Sequence, residues 1–190
     1  MRVDVPSDRR AGDPFGFAAE TLAPEIMSAA SDFARAVYQY SRLSLREFEA
    51  ARARTADING CIVCQGFRAG RDIGAMFAAS DMRPQTSVAD NGAAPDEAFY
   101  AALPAWRTSR LFSEREALAI EFAECFGTEP KAFAVDEAFW TRMRAAFSDA
   151  EICDLAHCVA AWVGLGRVAH VLGFDQVCLP FTAQADMVAQ

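Results

Sequence analysis

Apolar residues recur along much of the chain at the spacing of one face of an α-helix. Phe48, Ala51, Thr55 and Ile58 form one such stripe. Sustained apolar–polar alternation and hairpin turns, which would indicate β-strands, are missing from the sequence. The pattern predicts an all-α protein whose eight prolines separate the helices, because proline interrupts a helix. The predicted helices cover about 24–40, 45–58, 61–80, 95–103, 114–126, 136–147 and 149–172.

Three of these helices begin with the pattern of a capping box, in which a serine and a glutamate three residues later bind each other's backbone N–H groups. The serines are Ser44, Ser113 and Ser148. The segments at Ser44 and Ser148 start alike, with an apolar residue, a serine and a glutamate at the same offset. This similarity raises the hypothesis of a helical bundle with a degenerate internal repeat.

The chain of 190 residues, 53% of them hydrophobic, suits one ordinary domain with a sizeable core. We therefore expect a single all-helical domain over 1–190. Within it, about 1–15 are expected to be poorly ordered, and the turn-forming residues of about 83–95 predict an interior loop.

Charge and composition exclude several classes of protein. A net charge of −8 with 18 scattered lysines and arginines leaves no basic surface for phosphate backbones, so nucleic acid is not an expected partner. Charged residues occupy the N-terminus where a secretory signal is apolar, and no run of apolar residues is expected to approach membrane-spanning length. We therefore expect a soluble, cytoplasmic protein without a membrane partner. In that reducing compartment the six cysteines would not form structural disulfides, so a close pair would be catalytic, redox-sensing or metal-binding.

Cys61 and Cys64 form such a pair, directly after Asn59 and Gly60. A glycine in this position is typical of the end of a helix, since it accepts the left-handed backbone conformation. A new helix starting at Cys61 would hold both cysteines in its first turn, where free N–H groups stabilise a thiolate. Cysteines three positions apart on a helix lie on one side of it, so this spacing is compatible with a disulfide.

Two simpler interpretations compete with redox chemistry. Free cysteines often serve as small buried hydrophobes. A structural zinc site would need two further ligands, and Cys153, His157 and Cys158 lack the usual spacing, so no metal is expected. The other cysteines are expected to pack in the core, and they are Cys125, Cys153, Cys158 and Cys178. His157 and His170 are expected to be core or interface histidines.

The segment around the pair resembles the carboxymuconolactone decarboxylase family, and within it the alkylhydroperoxidase D-like branch. The matching residues are Glu49, Arg54, Asn59-Gly60 and the two cysteines of the Cys-x-x-Cys motif. The residues from Phe147 to Ile152 and the pair Gly166-Arg167 are similar to the C-terminal helical segment of the family. The resemblance extends over about 25–175.

The resemblance implies an all-helical fold, assembly into homo-oligomers and reduction of hydroperoxides without a bound cofactor. Cys64 would be oxidised to a sulfenic acid, Cys61 would resolve it as a disulfide, and Glu49 would act as the acid/base of a proton relay. A dithiol or a protein thiol would supply the electrons. The phenylalanines and tryptophans of the apolar helical faces would be buried in the core or at a subunit interface, and the resemblance favours the interface of a homo-oligomer.

The chain departs from the family at the two histidines of the relay, since Val63 and Arg68 occupy those positions. Arg68 cannot shuttle protons at neutral pH, although its charge could stabilise a thiolate or pair with Glu49. His170 could reach in from another segment as a substitute, and Arg54 and Asn59 would support the site. Two other functions stay open: a redox sensor or partner-binding protein that uses the same pair, and a helical enzyme acting on a small carboxylated metabolite near Arg54 and Arg68.

Overall fold

A computed structural model describes residues 1–10, 12–82 and 84–176, and the regular secondary structure of these residues is helical. The α-helices are α1 (Ser7–Arg10), α2 (Pro14–Thr21), α3 (Pro24–Tyr40), α4 (Leu45–Asn59), α5 (Ile62–Gly66), α6 (Ala69–Ala78), α7 (Glu97–Ala102), α8 (Glu114–Thr128), α9 (Pro130–Phe133), α10 (Glu137–Ala146) and α11 (Asp149–Leu172). Short 3₁₀ turns cover Val88–Asp90, Leu103–Ala105 and Phe174–Gln176. The all-α prediction is therefore confirmed.

The capping boxes begin three of the longest helices. Ser44, Ser113 and Ser148 each accept a hydrogen bond from the backbone of the glutamate three residues on, and that glutamate binds the serine N–H in return. Because these contacts satisfy N–H groups that a helix leaves free, they fix where α4, α8 and α11 begin. The sequence does not predict α2, which begins at Pro14 behind the capping carboxylate of Asp13.

The core lies around α4, which packs against α8 on one side and α11 on the other. Phe48, Ala50 and Ala51 of α4 are fully buried among residues such as Ile120 and Leu155. The interior loop also contributes, since Val88 is fully buried. A second, smaller cluster joins Val5, Ala18 and Phe174, so the N-terminal segment packs beside the end of α11.

The prediction of one continuous helix over 61–80 is wrong. The structure has two helices there, α5 and α6, which are separated at Phe67 and Arg68. Phe67 takes an extended conformation with φ −71° and ψ 141°. The break is held by α4, since the Arg52 guanidinium donates to the Phe67 carbonyl and Glu49 accepts from the Ala69 N–H. These side chains satisfy backbone groups that a continuous helix would have paired internally.

Helix α11 is the one helix of the described residues that is long and apolar enough to cross a membrane. The expectation that no apolar run approaches membrane-spanning length is therefore wrong, because α11 is long and apolar enough. In the structure α11 packs against α3, α4 and α8. This packing accounts for part of its apolar composition, since 33% of the apolar stretch is buried while Val168 and Val171 stay exposed.

Candidate active site

Cys61 and Cys64 form a disulfide, with 5.2 Å between their Cα atoms. Gly60 ends α4 in the left-handed conformation at φ 68°, as the sequence predicts. Cys61 is the N-cap residue of α5, and its sulfur accepts a hydrogen bond from the Cys64 N–H at 3.3 Å. The local sequence therefore places both sulfurs in one tight turn.

The disulfide lies in the wall of a cavity of about 430 Å³. The cavity walls are mainly apolar and include Phe15 of α2, Tyr38 of α3, Phe67, and Trp162 and Leu165 of α11. Cys61 is fully buried, whereas Cys64 is half-buried. We name this space, with the disulfide in its wall, the cysteine cavity. Its volume and apolar lining are those of a site for a small organic ligand.

Glu49 and Arg52 form a buried ion pair next to the cysteine turn, with side chains that are 0% and 3% exposed. The Arg52 Nε and Nη2 donate to the two Glu49 oxygens at 2.6 and 2.9 Å. Tyr100 donates to Glu49 at 2.5 Å, and the Ala69 N–H donates to it at 3.2 Å. Both oxygens of the Glu49 carboxylate are thus occupied by donors.

Arg52 connects Glu49 to the cysteines, because its Nη1 donates to the Cys64 carbonyl at 2.7 Å. Burial alone would lower the pKa of Arg52, but the charge and hydrogen bonds of Glu49 outweigh it and raise this pKa, so the guanidinium stays charged. Arg52 lines the cysteine cavity and Glu49 does not. Glu49 therefore reaches the cysteine turn through a residue that does not release protons, and its acid/base role stays a prediction.

Two arginines expected to support the site are paired elsewhere. Arg54 binds Glu124 at 2.8 Å, and Arg68 binds Glu97 at 3.0 Å while lying over the ring of Tyr100. Both guanidinium charges are therefore neutralised by protein carboxylates. The interpretation of these arginines as a binding site for a carboxylated metabolite gains no support from their positions.

Asn59 and Gly166 bring α4 and α11 into close contact beside the disulfide. Asn59 donates from Nδ2 to the Trp162 carbonyl at 2.8 Å and lines the cysteine cavity. A Cβ added to Gly166 would lie 2.6 Å from Asn59 Nδ2 and 3.8 Å from Cys64 Sγ. Any larger residue at Gly166 would therefore push against Asn59, which explains the glycine at this position of α11.

His170 and Asp175 meet at the other side of the cysteine turn. Gly173 ends α11 in the left-handed conformation, and the chain then folds back so that Asp175 lies against α5. The Asp175 Oδ2 atom lies 2.9 Å from His170 Nδ1 and accepts from the Ile62 N–H at 3.1 Å. Asp175 lines the cysteine cavity, and His170 packs on Gly60. His170 therefore lies beside the cysteine turn, and its role in a proton relay stays a prediction. His157 and His170 are both exposed in this chain, so the expectation of core histidines is wrong.

Sequence reasoning missed Asp175, Arg52 and Tyr100. The three-residue spacing of Glu49 and Arg52 on a helix was a usable signal for their ion pair. Tyr100 and Asp175 carry no comparable signal, because 51 and 113 residues separate them from Glu49 and Ile62, the residues that they bind.

The remaining cysteines differ in exposure. Cys158 is buried, and burial raises the pKa of its thiol, as expected for a core cysteine. Cys125 is half-buried. Cys153 is exposed, so the prediction that it packs in the core is wrong, because it lies on the outer face of α11. Cys178 lies outside the described residues. Within 1–10, 12–82 and 84–176, no group of three or more His, Cys, Asp or Glu side chains is placed to hold a metal.

Comparison with solved structures finds a similarity at the level of the fold. No protein-family model matches the sequence, and no curated protein matches it significantly. The chain is similar to the crystal structure of a protein of unknown function from Agrobacterium tumefaciens, a candidate antioxidant defence protein AhpD, with a TM-score of 0.62 and 22% identity over 87% of this chain and 97% of that one. The two chains therefore share an all-helical fold, and the fold extends over nearly the whole of the other protein.

Proposed function

We propose that the protein is a thiol–disulfide oxidoreductase that reduces hydroperoxides through Cys61 and Cys64. The observation that carries the proposal is the disulfide between these residues in the wall of an apolar cavity. A reactive pair beside a cavity can meet a small oxidant while the surrounding apolar walls limit access of water. The shared fold with a protein named for antioxidant defence agrees with this chemistry.

The reaction would proceed in three steps. The sulfur of reduced Cys64 attacks the terminal oxygen of R–O–O–H, an S–O bond forms, the O–O bond breaks, and the alkoxide leaves as an alcohol with the thiol proton. The sulfur of Cys61 then attacks Cys64, the S–S bond forms, and the hydroxyl group leaves as water with the Cys61 proton. An external dithiol or protein thiol is oxidised to its disulfide and returns both cysteines to thiols.

Exposure supports this division of roles. Cys64 is half-buried and Cys61 is fully buried, so Cys64 is the sulfur that an incoming hydroperoxide or reductant can reach first. The Cys61 sulfur accepts the Cys64 N–H, which holds it close enough to resolve the oxidised partner. In this scheme Glu49 and Arg52 fix the turn, and direct acid/base catalysis by Glu49 is the part that the geometry favours least. The proposed reaction needs no bound cofactor. We place the protein in a reducing compartment such as the cytoplasm, and we include in the proposal the homo-oligomer implied by the family resemblance.

The test is hydroperoxide-dependent oxidation of a dithiol by the full chain. Wild-type protein is expected to consume cumene hydroperoxide with dithiothreitol as reductant, and Cys64→Ser to abolish turnover. Cys61→Ser should still form a sulfenic acid at Cys64, detectable by trapping with dimedone and mass spectrometry, but no intramolecular disulfide.

Cys153→Ser is the matched control, because Cys153 is exposed but lies outside the pair. It should retain wild-type turnover. Turnover by wild type that is no faster than that of the double variant Cys61→Ser/Cys64→Ser would overturn the proposal. A disulfide that forms with peroxide but does not turn over would instead favour a redox sensor.

A further inference from the structure

The carboxyl group of Asp175 is held at the cysteine turn by one of its two oxygens. Its Oδ2 accepts the Ile62 N–H at 3.1 Å and lies 2.9 Å from His170 Nδ1. Asp175 as a residue is 2% exposed, and its Oδ1 has no hydrogen-bond partner among the residues that the structure describes. A buried carboxylate oxygen without a partner is costly, and a catalytic role is one of the explanations for such an atom. Asn59 Oδ1 and Trp162 Nε1 are also unpaired among the described residues, but neither group exchanges protons at neutral pH.

The unpaired Oδ1 of Asp175 belongs to a carboxylate that lies beside the cysteine pair. Ile62 directly follows Cys61, so the carboxylate binds the backbone of the residue next to the buried sulfur. Asp175, Cys61 and Cys64 line the same cavity. We infer that Asp175 is the proton acceptor and donor of the cysteine pair, and that His170 is the positioning residue that holds it with Oδ1 free.

This inference rests on the proposed function, and each proton can be followed. When Cys64 attacks the hydroperoxide, its thiol proton passes to Asp175 Oδ1 and from there to the leaving alkoxide, which departs as an alcohol. When Cys61 attacks the sulfenic acid, its proton takes the same route to the departing hydroxide, which leaves as water. The carboxylate ends each step ionised as it began, so no proton is gained or lost overall.

Other carboxylates near the cysteines are less suited to this role. Both oxygens of Glu49 are occupied by donors, and Glu49 does not line the cavity. Asp13 lines the cavity, but it is an exposed N-cap residue whose carboxylate accepts the Gly16 N–H. Of these three carboxylates, Asp175 is the one that is buried in the cavity wall with an oxygen that accepts no hydrogen bond.

Asp175→Asn separates acid/base catalysis from a structural role when two reactions of the reduced protein are compared. Reduction of a hydroperoxide releases an alkoxide that needs a proton, whereas alkylation by iodoacetamide releases iodide, which does not. We expect Asp175→Asn to lower the second-order rate with cumene hydroperoxide about 100-fold. Alkylation of Cys64 should change far less, because the thiol can lose its proton to solvent before it reacts and the departing iodide needs no proton.

His170→Phe provides a second variant that does not depend on the folding of Asp175→Asn. It should lower the peroxide rate about tenfold without slowing alkylation. His157→Phe on the same helix should change neither rate, since His157 binds the Cys153 carbonyl and does not line the cysteine cavity. Equal losses in both reactions, or no loss of peroxide rate in either variant, would overturn the inference and leave the proposed function standing. Wild-type protein that is alkylated but does not react with hydroperoxide would overturn both.

Discussion

The ion pair of Glu49 and Arg52 is the least exposed charged contact near the cysteine turn, and it joins three helices. It lies on α4, it binds the carbonyls of Cys64 and Phe67 at α5, and it binds the first N–H of α6. Removing one charge of such a pair leaves the other buried without compensation. We expect Glu49→Gln to lower the free energy of unfolding by about 3–5 kcal/mol, measured by urea denaturation of the oxidised protein.

Glu97→Gln is the matched control for this prediction. Glu97 also pairs with an arginine, Arg68, but its side chain is 74% exposed. An exposed pair of this kind contributes at most about 1 kcal/mol, so the control should lose little stability. Similar losses in the two variants would show that burial does not set the strength of the Glu49–Arg52 pair.

Single residues also show what sequence reasoning can reach. The Cys-x-x-Cys turn and its helix-ending glycine follow from spacing and local conformation, and the structure contains both. His170 is a candidate only because the family's relay histidines are missing, and its place beside Asp175 depends on how the chain folds back after α11. Asp175 was missed because its partner Ile62 lies 113 residues away along the chain. Contacts at that range depend on how helices pack, which a local pattern does not encode.

At the scale of elements, capping boxes predict helix starts well, because the serine and the glutamate interact within one turn. At the start of α11 the capping contacts also change the pKa of the capping glutamate. The Ser148 N–H and hydroxyl bind the Glu151 carboxylate, and with the nearby Arg115 guanidinium they lower the pKa of Glu151 to about 2. By contrast, the break between α5 and α6 was not predictable, since the side chains that hold it come from α4.

This lowered pKa predicts how the cap responds to acid. A carboxylate whose pKa is lower in the folded chain stabilises the fold above the unfolded pKa, about 4.5, and loses that contribution as the pH falls to about 2. We expect the loss of stability between about pH 5 and pH 2 to be shallower in Glu151→Gln than in wild type, measured from urea midpoints across this range. Glu114→Gln, an exposed carboxylate in the first turn of α8, should follow the wild-type curve. A Glu151→Gln curve parallel to wild type would contradict the prediction.

At the scale of the whole molecule, the cysteine cavity exists because six helices meet around the disulfide. Side chains from α2, α3, α4, α5, α6 and α11 line it, and the 3₁₀ turn after α11 supplies Asp175. These elements lie far apart along the chain, so the sequence predicted a reactive pair but not the cavity beside it. Under the proposed function, the size and apolar walls of this cavity would favour reactions with bulky organic oxidants.

This leads to a prediction about the shape of the oxidant. Ala34 of α3 lines the cavity, and a phenylalanine there would take up part of its volume. We expect Ala34→Phe to slow oxidation of the reduced pair by cumene hydroperoxide about tenfold or more, because the bulky group must occupy the space that is lost. Hydrogen peroxide needs no such space, so its rate should change far less. Ala29→Phe, at an exposed position of the same helix, should leave both rates unchanged. Equal slowing of the two oxidants by Ala34→Phe would mean that the cavity is not the route by which a hydroperoxide reaches Cys64.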